Sequence, residues 1–76
     1  MKVKISSTLR KEILGIGVDP KTISGIKEWE MIISLLDKKF WATPDEAHEQ
    51  RVSLSTACAH AEKIFDELCQ EWFHAL

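Results

Sequence analysis

Apolar residues recur with a helical rhythm over the last third of the chain. The spacings are 4, 3, 4, 3, 4 and 3 through Leu54, Cys58, Ala61, Phe65, Leu68, Trp72 and Ala75. This repeat is typical of a helix that packs along another helix. Just upstream, Thr43, Pro44 and Glu46 offer an N-cap, a proline at the first helical position and a capping box. We therefore predict one helix over about residues 44–74.

A second apolar stripe precedes this helix and predicts another. Spacings of 3 and 4 connect Ile26, Trp29, Ile33, Leu36 and Phe40. Asp19 followed by Pro20 is a helix start signal, so we predict a helix over about residues 20–41. Gly25 weakens the first turns, and the regular part is expected to begin near Ile26.

The N-terminal region carries shorter signals. Ser7 can cap a short helix that Gly15 and Gly17 end, and we place this helix at about residues 8–14. Residues 2–6 alternate between polar and apolar side chains, so this stretch is open to strand or coil.

These elements together predict an all-α fold. Two residues separate the second and third helices, and so short a connection makes them antiparallel neighbours. We expect a single helical domain over residues 1–76, with the short N-terminal helix packed on a long two-helix hairpin. Dimerisation is expected to complete it as a helical bundle.

The far end of this hairpin is expected to lack a partner. With a two-residue connection, facing positions have numbers that sum to about 85, so the second helix reaches only to Phe65 of the third. An apolar overhang remains, with Leu68, Cys69, Trp72, Phe73 and Leu76. Either the N-terminal segment or a second chain must cover it. Replacing Leu68 or Trp72 by Ala should then cost about 2 to 5 kcal/mol.

The connected end shows the opposite imbalance. Large apolar residues at the end of the second helix face the polar run 45–51, which can cover few of them. The predicted partner or dimer interface consists of Ile32, Leu35, Leu36, Phe40 and Trp41. The alternative is that Phe40 and Trp41 fold over the loop and plug the hairpin.

Composition agrees with a folded domain in the cytoplasm. The chain is 45% hydrophobic and 29% charged, which excludes a disordered low-complexity protein. It has no apolar run long enough for a membrane span and no secretory leader pattern. On one helix, Cys58 and Cys69 would lie about 16 Å apart, so we expect free thiols.

Chemical signatures are few. The candidate ligands His48, Cys58, His60, Cys69 and His74 contain no pair at the spacing that places two ligands on one helix face. A hairpin also offers no concave pocket in which a nucleophile could be activated. We predict no catalytic residue, no metal site and no cofactor, and we expect that the protein is not an enzyme.

Charge is distributed unevenly and leaves one alternative open. Residues 1–41 carry eight Lys or Arg against five acids, and residues 42–76 carry two against seven. If residues 2–6 form a strand, the order strand, helix, helix resembles ribbon-helix-helix regulators, whose paired N-terminal strands enter the major groove of DNA. The resemblance implies nucleic-acid contacts at Lys2, Lys4, Arg10 and Lys11. Against it, the chain has two arginines and no asparagine to read bases.

The preferred hypothesis is a small non-enzymatic helical module for protein–protein interaction or regulation. We expect a homodimer without membrane association. The dimeric DNA-binding regulator is the alternative, and the sequence does not identify the protein partner.

Overall fold

The computed structural model of this protein describes residues 5–74. The chain forms α1 (Ser7–Gly15), a 3-10 turn (Pro20–Thr22), α2 (Ile26–Ala42) and α3 (His48–His74). Within that range 80% of the residues are helical and none belongs to a strand, which confirms the all-α class there. Of the stretch 2–6, residues 2–4 lie outside the described part.

Helix α1 is fixed at both ends by its sequence. The Ser6 side chain, not that of Ser7, caps the helix by accepting a hydrogen bond from the Leu9 N–H at 3.2 Å. At the other end Gly17 adopts a φ of 82°, and its N–H bonds the Leu14 carbonyl. The Val18 N–H bonds the Ile13 carbonyl, which completes a Schellman motif. The expected glycine stop is therefore present.

The predicted helix over 20–41 begins later than its proline signal suggested. Asp19 and Pro20 start only a 3-10 turn, in which the Asp19 carboxylate accepts from the Lys21 N–H at 3.0 Å. The chain is then extended up to Gly25, and α2 begins at Ile26, where the regular part was expected. The non-helical stretch before α2 is stabilised by Ser24, which donates both its N–H and its hydroxyl to Glu28, at 2.8 and 2.9 Å.

The capping box predicted for α3 does not form. The Thr43 hydroxyl donates to the Lys39 carbonyl at 2.6 Å, so Thr43 serves the C-terminus of α2 and not the N-terminus of α3. Pro44 opens a turn in which its carbonyl accepts the Ala47 N–H at 3.0 Å. Helix α3 therefore starts at His48, four residues later than predicted, and the connection is residues 43–47.

Helices α2 and α3 form the expected antiparallel hairpin, and α1 packs on its side. Phe40 lies beside Arg51 near the connection, while Ile26 and Leu68 line one groove at the opposite end. The core joins all three helices and consists of Leu9, Ile13, Trp29, Ile32, Leu36, Leu54, Ala57, Ala61 and Ile64. The described molecule measures 46 × 19 × 17 Å.

Helix α1 covers the middle of α3 and not its far end. Ser6 Oγ and His60 Nδ1 form a hydrogen bond of 2.7 Å, and the Ser53 hydroxyl donates to the Glu12 carboxylate at 2.6 Å. Leu9 and Ile13 are consequently buried against the central part of the hairpin. Trp72 stays 60% exposed beyond these contacts, so the described part of the N-terminal segment does not cover it.

Candidate functional site

We call the region around the connection, residues 40–51, the closed end. Arg51 organises it, because its guanidinium lies 4.3 Å above the centre of the Phe40 ring. The same group donates to the Thr43 carbonyl at 2.8 Å and to the Phe40 carbonyl at 3.5 Å. It also approaches the Asp45 carboxylate at 3.5 Å. One side chain thus ties the end of α2 to the loop and to the start of α3.

Phe40 and Trp41 have different roles at the closed end. Phe40 is half-buried, packs against the core and is covered by Arg51. Trp41 contacts the Phe40 ring edge-on, with ring centres 5.2 Å apart and planes at 87°. The Trp41 side chain is nevertheless 71% exposed. The closed end therefore presents one large aromatic group to solvent on a fixed base.

The other residues of the predicted interface lie deeper. Ile32 and Leu36 are 0% exposed and belong to the core, so they cannot contact a partner while the hairpin is closed. This corrects their assignment as interface residues: one face of α2 is filled by α3 and α1 together. Leu35 is half-buried. Among the five, Trp41 is the one that remains exposed.

We call the opposite end of the hairpin, where α2 starts and α3 ends, the open end. Here the two helices border a groove of about 660 Å³. Its lining is Ser24, Gly25, Ile26, Lys27, Glu28, Leu68, Glu71 and Trp72. Leu68 is half-buried, but Trp72 is 60% and Phe73 is 71% exposed. The overhang expected from the sequence is therefore present at Trp72, and its last member, Leu76, lies outside the described residues.

The groove carries charges on both of its walls. Lys27 stands on the α2 side and Glu71 on the α3 side. Neither side chain forms an ion pair within residues 5–74. Glu28 differs from them because it already accepts two hydrogen bonds from Ser24. The groove thus combines an apolar floor with Lys27 and Glu71, which have no ionic partner among the described residues.

The predicted nucleic-acid residues are only partly described. Arg10 and Lys11 are exposed on α1, whose other side is buried against the hairpin. Lys2 and Lys4 lie outside the described residues. The nucleic-acid surface therefore stays a prediction, of which the structure describes Arg10 and Lys11 alone.

Two potentially reactive side chains, those of Cys58 and Glu12, have partners within the fold. Burial first, and then the nearby carboxylates of Glu62 and Asp37, raise the pKa of the Cys58 thiol. A raised pKa leaves less thiolate at neutral pH, so Cys58 is a weak nucleophile. Glu12 is buried and bound by Ser53 between α1 and α3. No group of three potential metal ligands occurs in the described part of the chain.

Sequence reasoning missed two parts of these surfaces. Arg51 gave no signal, since a single arginine in a polar run does not reveal a contact with the end of the preceding helix. The contribution of Lys27 to the open-end groove was also missed. The serine and glutamate at positions 24 and 28 could have indicated that α2 starts late and leaves space beside α3.

Comparison of the chain with protein-family models, curated proteins and solved structures gives no match. Function is therefore inferred from the residues themselves. No helix among residues 5–74 is both long and apolar enough to cross a lipid bilayer.

Proposed function

We propose that this protein is a small helical interaction or regulatory module that binds other protein chains, a second copy of itself among them. The observation that supports this most is Trp41, which is 71% exposed while Phe40 and Arg51 hold its base. Tryptophan has two side-chain torsions, so it offers a large contact area at a low entropy cost. Such anchors dominate the binding energy of many protein interfaces.

We also propose that the module works without catalysing a reaction. Support comes from the thiol of Cys58, which its raised pKa keeps protonated at neutral pH. The buried carboxylate of Glu12 is likewise engaged by Ser53 and lies between α1 and α3. Both groups are used within the fold, which agrees with a binding role.

Site-specific photo-crosslinking tests the proposed role of Trp41. A photoreactive amino acid replaces Trp41 in one variant and Ser34, an exposed residue of the same helix, in a control. We expect a protein adduct at position 41 in the source cell that is absent at position 34. Excess unmodified protein should suppress it. Equal labelling at both positions, or no adduct at position 41, would contradict the proposal.

Nucleic-acid binding remains the alternative prediction. If Lys2 and Lys4 read DNA, Lys2→Ala combined with Lys4→Ala should abolish a salt-sensitive mobility shift on duplex DNA. We expect no shift with the unmodified chain at about 0.15 M salt, because phosphate contacts alone weaken steeply as salt rises. A tight shift under these conditions would overturn the protein-binding proposal in favour of the DNA-binding regulator.

A further inference from the structure

We infer that the groove at the open end is a self-association surface, occupied in solution by the same groove of a second copy of this chain. The inference rests on the proposed function, because it names one partner of the module and assigns it a surface. That surface differs from the Trp41 side chain at the closed end, so the two parts can fail independently.

The apolar part of the groove remains partly exposed among the residues that the structure describes. Leu68 packs against the edge of the core, and Trp72 beside it is 60% exposed. The hydrogen bonds that connect α1 and its cap to α3 are at Ser53 and His60, about three to five turns before Trp72. Exposed aromatic and aliphatic groups in one patch favour burial against another molecule.

The charges of the groove indicate that this other molecule is an identical chain. Lys27 and Glu71 stand on opposite walls, and neither is ion-paired within the described monomer. If two grooves meet about a two-fold axis parallel to the helices, α2 of each copy faces α3 of the other. Lys27 then meets Glu71 of the second copy, and symmetry forms the contact twice.

The same charges reject the other face-to-face arrangement. A two-fold axis perpendicular to the helices, lying in the interface, would place Lys27 opposite Lys27 and Glu71 opposite Glu71, and like charges in contact are unfavourable. Glu28 keeps its negative charge, but this charge lies in the first turn of α2, where the helix N-terminus and the two Ser24 donors stabilise it. With the parallel axis, the closed ends of both copies point in the same direction, and both Trp41 side chains stay accessible.

The first test removes the aromatic group of the groove. Sedimentation equilibrium is measured for the unmodified chain, for Trp72→Ala and for the matched control Trp41→Ala. We expect a dimer whose dissociation constant rises by at least about thirtyfold with Trp72→Ala, as loss of an aromatic anchor at an interface does. Trp41→Ala should leave the constant unchanged. Circular dichroism should show that both variants stay helical, since both side chains are largely exposed.

The second test uses the reciprocity of the charges. Lys27→Glu and Glu71→Lys should each weaken self-association roughly tenfold, because each places two like-charge pairs in its own dimer. An equimolar mixture of the two variants should dimerise as tightly as the unmodified chain, since both contacts are then of opposite sign. Lys38→Glu, the same charge change near the closed end, should have no effect.

Distinct results separate this inference from the proposed function. Three results would overturn the open-end dimer. They are a monomer at high micromolar concentration, an unchanged dissociation constant for Trp72→Ala, or a charge-variant mixture whose dissociation constant is no lower than those of its components. If the dimer were lost with Trp41→Ala instead, self-association would belong to the closed end and the proposed function would stand. Loss of the position 41 adduct alone would contradict the role of Trp41 and leave the open-end dimer intact.

Discussion

The two ends of the hairpin each expose a tryptophan, yet the residues around the two tryptophans differ. At the closed end Arg51 contacts the Phe40 ring and two backbone carbonyls, so the polar groups of Arg51 and of the chain beside Trp41 already have partners. At the open end Trp72 borders a groove whose Lys27 and Glu71 lack ionic partners within residues 5–74. We therefore propose a docking role for Trp41 and an incomplete interface at Trp72.

The largest expected effect comes from the core that supports both ends. Ile32→Ala or Leu36→Ala should lower the free energy of unfolding by about 2 to 5 kcal/mol, because both side chains are fully buried and leave a cavity. Urea denaturation measures the change. Leu35→Ala is the control, and its smaller loss should follow from its partial exposure. Stability unaffected by Ile32→Ala, together with weaker self-association, would return Ile32 to an interface.

A smaller loss of stability is expected when the contacts of Arg51 at the closed end are removed. Arg51→Ala removes the stacking on Phe40 and the bonds to the Phe40 and Thr43 carbonyls. We expect a loss of about 1 to 3 kcal/mol in the free energy of unfolding, since hydrogen bonds from charged groups are stronger than neutral ones. Thermal unfolding measures it. Arg51→Lys keeps the charge but not the planar fork, so it should recover only part of the loss.

The smallest stability effect is expected at the open end. Trp72→Ala should change the free energy of unfolding of the monomer by less than about 1 kcal/mol, because the side chain is 60% exposed and leaves no cavity. This replaces the larger value expected from the sequence, which assumed that the N-terminal segment covers Trp72. Chemical denaturation at concentrations below the dimer dissociation constant checks it. A loss above about 2 kcal/mol would place Trp72 in the core of the monomer.

Periodicity predicted the helices because it reports a physical requirement. The 3 and 4 spacing must be present wherever α2 and α3 pack along each other, so their middle parts were correct. The predicted start of α3 was wrong, because the Thr43 side chain bonds the Lys39 carbonyl instead of capping the following helix. A capping box is a local preference of about 1 kcal/mol, and several contacts from Arg51 to the loop outweigh it.

The candidate site was predictable only where it depended on helix length. The mismatch between the two helices located the exposed end at Trp72 because two errors in the residue count offset each other: α2 begins at Ile26 and not at residue 20, and the connection has five residues and not two. Counting residues could not predict where the N-terminal segment packs on the hairpin. It depends on the hydrogen bond between Glu12 and Ser53, 41 positions apart, and on the extended stretch that Ser24 and Glu28 stabilise.

Fluorine NMR of the protein labelled with 5-fluorotryptophan tests the difference between the two ends most directly. Its three tryptophans report on the core (Trp29), the closed end (Trp41) and the open end (Trp72), and single Trp→Phe variants assign the resonances. As protein concentration rises through the dimer dissociation constant, we predict that the Trp72 resonance shifts while those of Trp29 and Trp41 stay in place. A Trp72 resonance that does not depend on concentration, or a shift confined to Trp41, would contradict the open-end dimer.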